Sequence, residues 1–249
     1  FNNILIIAEK DSEATLVIKN TAELVNKFTS NVIEVITNES SSVDLINVQN
    51  LGNNSNNFSH TKAIQKKNSK FIQIDYSLGS KISHSRLTSI LDGEGAISKI
   101  YSLCYCSQDQ ILDMSCTNIH KAPFTGGEIR SLSILDHSSK LIFNGLIRIE
   151  EQAHDSSGFQ KEDSIILSKN AEVCPIPKLE IENNDVKCSH SASITNIDDE
   201  KIFYLMSRGL SEYDSKRAII QGQYNKFINL IENKQIRKVL INEQEKWNY

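Results

Sequence analysis

The chain has 249 residues, of which 39% are hydrophobic and 23% charged, the balance of a globular rather than a disordered protein. Its formal net charge of -4 argues against a nucleic-acid platform, and no apolar run is long enough to predict a membrane-spanning helix. Five cysteines, an odd number without a signal-peptide pattern, read as free thiols in a reducing compartment rather than as a disulfide framework.

The chain opens at Phe1 without a methionine and enters the apolar run Ile4–Ile7 at once, so a strand within a larger fold is expected there, with an N-terminal part missing. Short apolar runs then recur at Thr15–Ile18, Val32–Ile36 and Val43–Val48, the density of an all-β fold. The stretch from Leu51 to Ser69 is rich in Asn, Ser and Lys and is expected to be a surface excursion. Strand signals resume at Phe71–Tyr76, Arg86–Leu91, Ile97–Cys106, Ile111–Met114, Ile129–Leu135 and Leu141–Ile149. They continue at Ile165–Leu167, Glu172–Cys174 and Leu179–Ile181, where Leu179 and Ile181 alternate with charged neighbours. A sandwich and a solenoid both satisfy this pattern. The near absence of Asn-Gly and Asp-Gly pairs, with Asp92-Gly93 the exception, tilts the reading toward parallel rungs, although no strict period is visible.

After Ile197 the periodicity becomes helical. Asp198 or Asp199 can cap a helix with an apolar side of Ile202, Phe203, Leu205 and Met206, and Gly209 is a natural stop. Ser211 and Asp214 form a variant capping box. Ile220, Tyr224, Phe227, Ile228 and Ile231 then fall at helical spacing, and Ile236, Val239 and Leu240 extend the stripe beyond Glu232-Asn-Lys234. The expected division is a β core over residues 1–196 and a helical subdomain over 197–249.

Cys188 and His190 are two apart, so on a strand they share a face and could give a thiolate and an imidazole to a soft or borderline metal. The plain alternative is a buried cysteine beside a rim histidine. Cys104 and Cys106 also share a face and, with Cys116 and Cys174, are expected to be structural. His84, His120, His137 and His154 are dispersed and expected at the surface or a rim. Asp92, Glu94 and Asp113 raise a carbohydrate-active reading, but no aromatic sugar platform accompanies them. No P-loop motif occurs, so the chain does not itself look like a P-loop ATPase, and no nucleophile elbow occurs either.

Asp185-Val-Lys-Cys-Ser-His190 followed by Phe203-Tyr-Leu-Met-Ser-Arg-Gly209 closely resembles the C-terminal signature of the SufB/SufD family of iron–sulfur cluster assembly proteins. Gly93-Glu-Gly-Ala96, Phe143-Asn-Gly145, Asp163–Ser168 and Pro177–Ile181 resemble further elements of that family. The resemblance implies a right-handed parallel β-helix with flanking helical parts. Glu162, where SufB-like chains place a cysteine, and Lys187-Cys-Ser-His190 make the chain more similar to SufD-like members. It departs from their H-G-A-T-x-G run at Ser191, Ser193 and Thr195.

The resemblance further implies a non-catalytic scaffold subunit of the cytoplasm, or of a plastid-type organelle. His190, with Cys188, would lie at the interface with a SufB-type subunit and touch a nascent iron–sulfur cluster. Arg208, Gly209, Ile220, Tyr224, Phe227 and Ile228 would dock the SufC ATPase. A SufD homodimer, or a SufB-type scaffold holding the cluster itself, are the alternative assemblies.

Overall fold

The computed structural model describes residues 1–22 and 26–244. Among these residues, fourteen strands alternate between two sheets. One sheet, A, holds β1 (Asn2–Ala8), β3 (Phe28–Thr37), β5 (Asn56–Gln65), β7 (Ile82–Leu91), β9 (Ile111–His120), β11 (Lys140–Ile149) and β13 (Glu172–Ile181), stacked in that order. The other, B, holds β2 (Glu13–Ala22), β4 (Ser42–Leu51), β6 (Lys70–Gly79), β8 (Ile97–Cys106), β10 (Gly126–Leu135), β12 (Ser156–Ile166) and β14 (Val186–Asn196). Every ladder between these strands is parallel. The chain is therefore a two-sheet parallel β-solenoid, one strand of each sheet per rung.

Short corners make this stacking possible. Ser40, Asn68, Gly95 and Phe124 take positive φ at equivalent turns from sheet A to sheet B. The following hydroxyl or backbone N–H closes the turn: Ser41 Oγ donates to Asn38 O at 2.8 Å, Ser69 Oγ to Lys66 O at 2.7 Å and Thr125 Oγ1 to Ala122 O at 3.1 Å. Such corners need four or five residues and no helical crossover. The rung length drifts, from 26 residues between paired Ser59 and Ser85 to 32 between paired Lys140 and Glu172, which hides the repeat in the sequence.

The Leu51–Ser69 expectation is corrected: it contains β5, fully paired between β3 and β7. Its inward residues Asn57, Ser59 and Thr61 are polar yet buried. Cross-rung hydrogen bonds compensate them, Thr29 to Asn57 at 2.9 Å, Asn57 to Ser83 at 3.1 Å and Ser59 to Ser85 at 3.1 Å. A strand whose inward face is polar loses its apolar alternation and reads as a loop.

Three helices follow: α1 (Asp199–Ser207), α2 (Glu212–Ile228) and α3 (Lys234–Gln244). Asp198 accepts from the Glu200 and Lys201 N–H groups, Ser211 accepts from Asp214 N–H, and Gly209 takes φ +94° after α1, so the expected caps form. Ile220, Tyr224, Phe227 and Ile228 of α2 join Ile236 and Leu240 of α3 in one buried cluster with Ile46, Ile74, Tyr101 and Leu132 on the outer face of sheet B. Lys70 and Lys99 clasp Glu232 at 3.0 and 2.7 Å, holding its carboxyl down at about 2. The outer face of sheet A carries no such cover among the described residues.

Candidate functional site at the terminal rung

Among the described residues, the strand β14 ends sheet B and pairs only with β12. Its register sets Cys188 on Gly158, His190 on Gln160 and Ala192 on Glu162. In β12 the residues of that phase, Ser156, Gly158, Gln160, Glu162 and Ser164, point into the solenoid and are buried. Cys188 and His190 therefore carry the inward phase onto a rung that no described residue stacks upon. The same direction that buries Gln160 leaves His190 exposed.

The two residues differ in setting. A Cβ at Gly158 would lie 3.3 Å from Cys188 Sγ and 2.7 Å from Ile147 Cγ2, so this glycine makes the space into which the thiol settles. Cys188 is half-buried and packs on the cluster of Ile147, Ile129 and Leu112. Burial raises its pKa above the ordinary thiol value. His190 is the solvent-facing member of the pair, and burial disfavours the thiolate of Cys188.

Beneath His190 lies a polar pair. Gln160 Nε2 donates to Glu162 Oε1, while Gln160 Oε1 and Glu162 Oε2 are buried without partners. A Cβ at Gly145, across in sheet A, would fall 1.9 Å from Gln160 Nε2 and 2.7 Å from Glu162 Oε1. The Asn-Gly of Phe143-Asn-Gly145 thus makes room for two long polar side chains. Burial lifts the Glu162 carboxyl to about 7, against the downward pull of the Gln160 hydrogen bond.

The other expected positions are resolved as follows. Cys104, Cys106 and Cys116 are buried, and burial pushes Cys104 up to about 11 and Cys106 to about 12, which makes them core thiols. Two expectations are corrected. Cys174 is exposed, because it falls on the outward phase of β13. His120 is fully buried: its Nδ1 hydrogen-bonds Thr125 Oγ1 at 2.8 Å and desolvation lowers its pKa to about 4. A polar sequence neighbourhood misled here because this solenoid keeps polar side chains inside. Asp113 pairs with His84 at 3.1 Å on the outside of sheet A, away from Asp92 and Glu94 at a corner.

At the helical end, Ile220, Tyr224, Phe227 and Ile228 are buried against sheet B. The exposed apolar side chains lie on and after α1 instead: Phe203 at 74% exposure, with Tyr204, Met206, Leu210 and Tyr213. The Arg208 guanidinium lies 5.2 Å from the Tyr204 ring centroid and donates to its hydroxyl at 3.3 Å. The helical spacing of Phe203, Tyr204 and Met206 was legible, but not that only Ile202 of α1 would find the core.

Among the described residues, no group of three or more His, Cys, Asp or Glu side chains is arranged to hold a metal ion. Cys188 and His190 are a thiol and an imidazole on one strand face, the kind of side chains that can ligate soft or borderline metals.

The open parallel solenoid, with Cys188 and His190 on its last strand and helices packed on one sheet, defines a parallel β-solenoid protein with a helical flank. The chain belongs to the SufBD core family: residues 1–223 match the family model described as SUF system FeS cluster assembly, SufBD core domain. Similar proteins include the iron–sulfur cluster assembly SufBD family proteins of Staphylococcus epidermidis, Staphylococcus haemolyticus and Staphylococcus aureus. Each is 30% identical over 224 residues, covering 89% of this chain and 48% of the relative. The chain thus spans about half the length of the curated relatives it matches. No described helix is long and apolar enough to cross a membrane.

Proposed function

We propose that the chain is a SufD-like, non-catalytic scaffold subunit. Its terminal rung pairs with a SufB-type subunit, and its helical flank docks the SufC ATPase. The observation that carries this reading is His190: an imidazole on the inward phase of a parallel solenoid, left in the open by the end of the sheet. A second subunit placed over that end would desolvate the imidazole and could complete a ligand set with its own thiolates. The nascent iron–sulfur cluster is cargo at this junction, with Cys188 as a further donor. Gln160 and Glu162, one rung below, support the floor of the site.

The ATPase contact is assigned to the exposed face of Phe203, Tyr204 and Met206 around Arg208 and Gly209, with Leu210 and Tyr213 beside it. Ile220, Tyr224, Phe227 and Ile228 act indirectly, by fixing the helices to sheet B. A pull on α1 would then reach the solenoid through α2 and the Glu232 clasp.

The test is a His190→Ala variant in the assembled complex. Loss of cluster formation with intact subunit pairing is expected. Full cluster delivery by the variant would remove the ligand role. For docking, Phe203→Ala with Tyr204→Ala should weaken co-purification of the ATPase; undiminished recovery would move the contact elsewhere.

A further inference from the structure

The free outer face of sheet A carries a shallow groove across β3, β5 and β7, lined by Ser30, Val32, Phe58, His60, His84 and Arg86. Register places Phe58 beside His84 and His60 beside Arg86, with all four on the outward phase. The Phe58 and His84 ring centroids are 6.2 Å apart. His84 Nδ1 is committed to Asp113 Oδ2 at 3.1 Å, which leaves Nε2 as the nitrogen available to a ligand.

Arg86 differs from the other strand arginines. Arg130 is held by Glu128, and Arg148 by Glu180 and Glu182. Arg86 has no carboxylate within ion-pair distance among the described residues, and its register neighbours are His60 and Ser115. Lys62 adds a second cation one outward step from His60; Glu34, its register partner, is the acid on that side. The field at His60 is positive on balance: burial, then Arg86 and Lys62, hold its pKa below the ordinary imidazole value against the opposing effect of Glu34.

We infer that this groove binds a small oxyanion, with the phosphate dianion as the best match. The Arg86 guanidinium offers a fork that suits two oxygens of one phosphate. His60 offers a further N–H donor beside it, His84 Nε2 donates only as the imidazolium because Nδ1 carries the proton shared with Asp113, and Phe58 and Val32 wall the groove with apolar surface. A bound dianion neutralises the uncompensated Arg86 charge and restores proton affinity to His60. The site lies on the sheet opposite to the helices and does not depend on the SUF reading. Phosphate and carboxylate ligands share this oxygen chemistry.

The test is a titration of the intact chain with sodium phosphate, sodium citrate and sodium chloride at matched ionic strength, followed by the imidazole C–H resonances. Phosphate should give saturable shifts confined to His60 and His84, and Arg86→Gln should weaken its binding about tenfold. Saturation by citrate at lower concentration than phosphate would keep the site and assign it to carboxylates. Linear drift with all three salts, or an Arg86→Gln variant with unchanged affinity, would overturn the inference. Arg86 is exposed, so the variant should unfold at the same urea concentration as the parent, which excludes a folding defect as the cause.

Discussion

Glu162 gives the sharpest physical test of the terminal rung. The residue is 2% exposed, and burial raises its carboxyl from an ordinary 4.5 to about 7. At about 1.4 kcal/mol per tenfold, that corresponds to about 3 kcal/mol of preference for the neutral acid in the folded chain. A carboxyl raised on folding contributes its stability in full below its unfolded value. That stability is lost as pH climbs through the folded value. The window is therefore pH 4.5 to about 7. Glu162→Gln keeps the acceptor for Gln160 Nε2 and removes the titration. Urea unfolding of parent and variant should coincide near pH 5 and diverge toward pH 8, with the variant more stable by up to about 3 kcal/mol. Asp75, lifted to about 6 by burial despite hydrogen bonds from Asn47 and Ser85, titrates in both proteins and cancels in the comparison. Parallel curves from pH 5 to 8 would refute the claim that Glu162 is buried and neutral in the folded state.

Phe227→Ala should cost about 3–5 kcal/mol, seen as a lower urea midpoint, because its ring meets Tyr101 edge-on at 6.2 Å in the helix–sheet core. An effect below about 1 kcal/mol would show that the helices are not fixed there. Phe124 holds φ +60° at a corner where an equivalent turn uses Gly95, so Phe124→Gly should raise stability by about 1 kcal/mol unless the Phe124–His154 contact at 5.2 Å outweighs the strain. Among the thiols, a maleimide should label exposed Cys174 first and half-buried Cys188 more slowly. Cys104, Cys106 and Cys116 should react only after denaturation, and labelling of all five at one rate would contradict the burial pattern.

Much of the architecture was readable where a strand has an apolar buried face, the outer one beneath the helices at Ile72, Ile74 and Tyr76 or the inner one at Leu141, Phe143 and Ile147. Val43–Val48, Phe71–Tyr76, Ile97–Cys106 and Leu141–Ile149 all lie in strands of the solenoid. The helix punctuation was readable too, because capping by Asp198 and Ser211 is local chemistry. The reading failed at β5, where Asn57, Ser59 and Thr61 take inward positions and no helix among the described residues covers an apolar outer face. It failed again at His120, whose burial depends on Thr125 five residues away closing a corner. The Gln160–Glu162 pair needs Gly145 from the opposite sheet, a relation no window of sequence contains.

What the sequence determined by itself was local: the phase that puts Cys188 and His190 on one strand face, the caps and stops of the helices, and the run of motifs by which the family is recognised. What only the tertiary structure decided was which of those side chains meet water. Along β12 and β14 the same inward phase is buried at Gln160 and open at His190, because stacking covers one rung and ends at the next. On α2 the helical stripe faces sheet B rather than solvent, since Ile46, Ile74 and Leu132 present an apolar surface that water would otherwise have to cover.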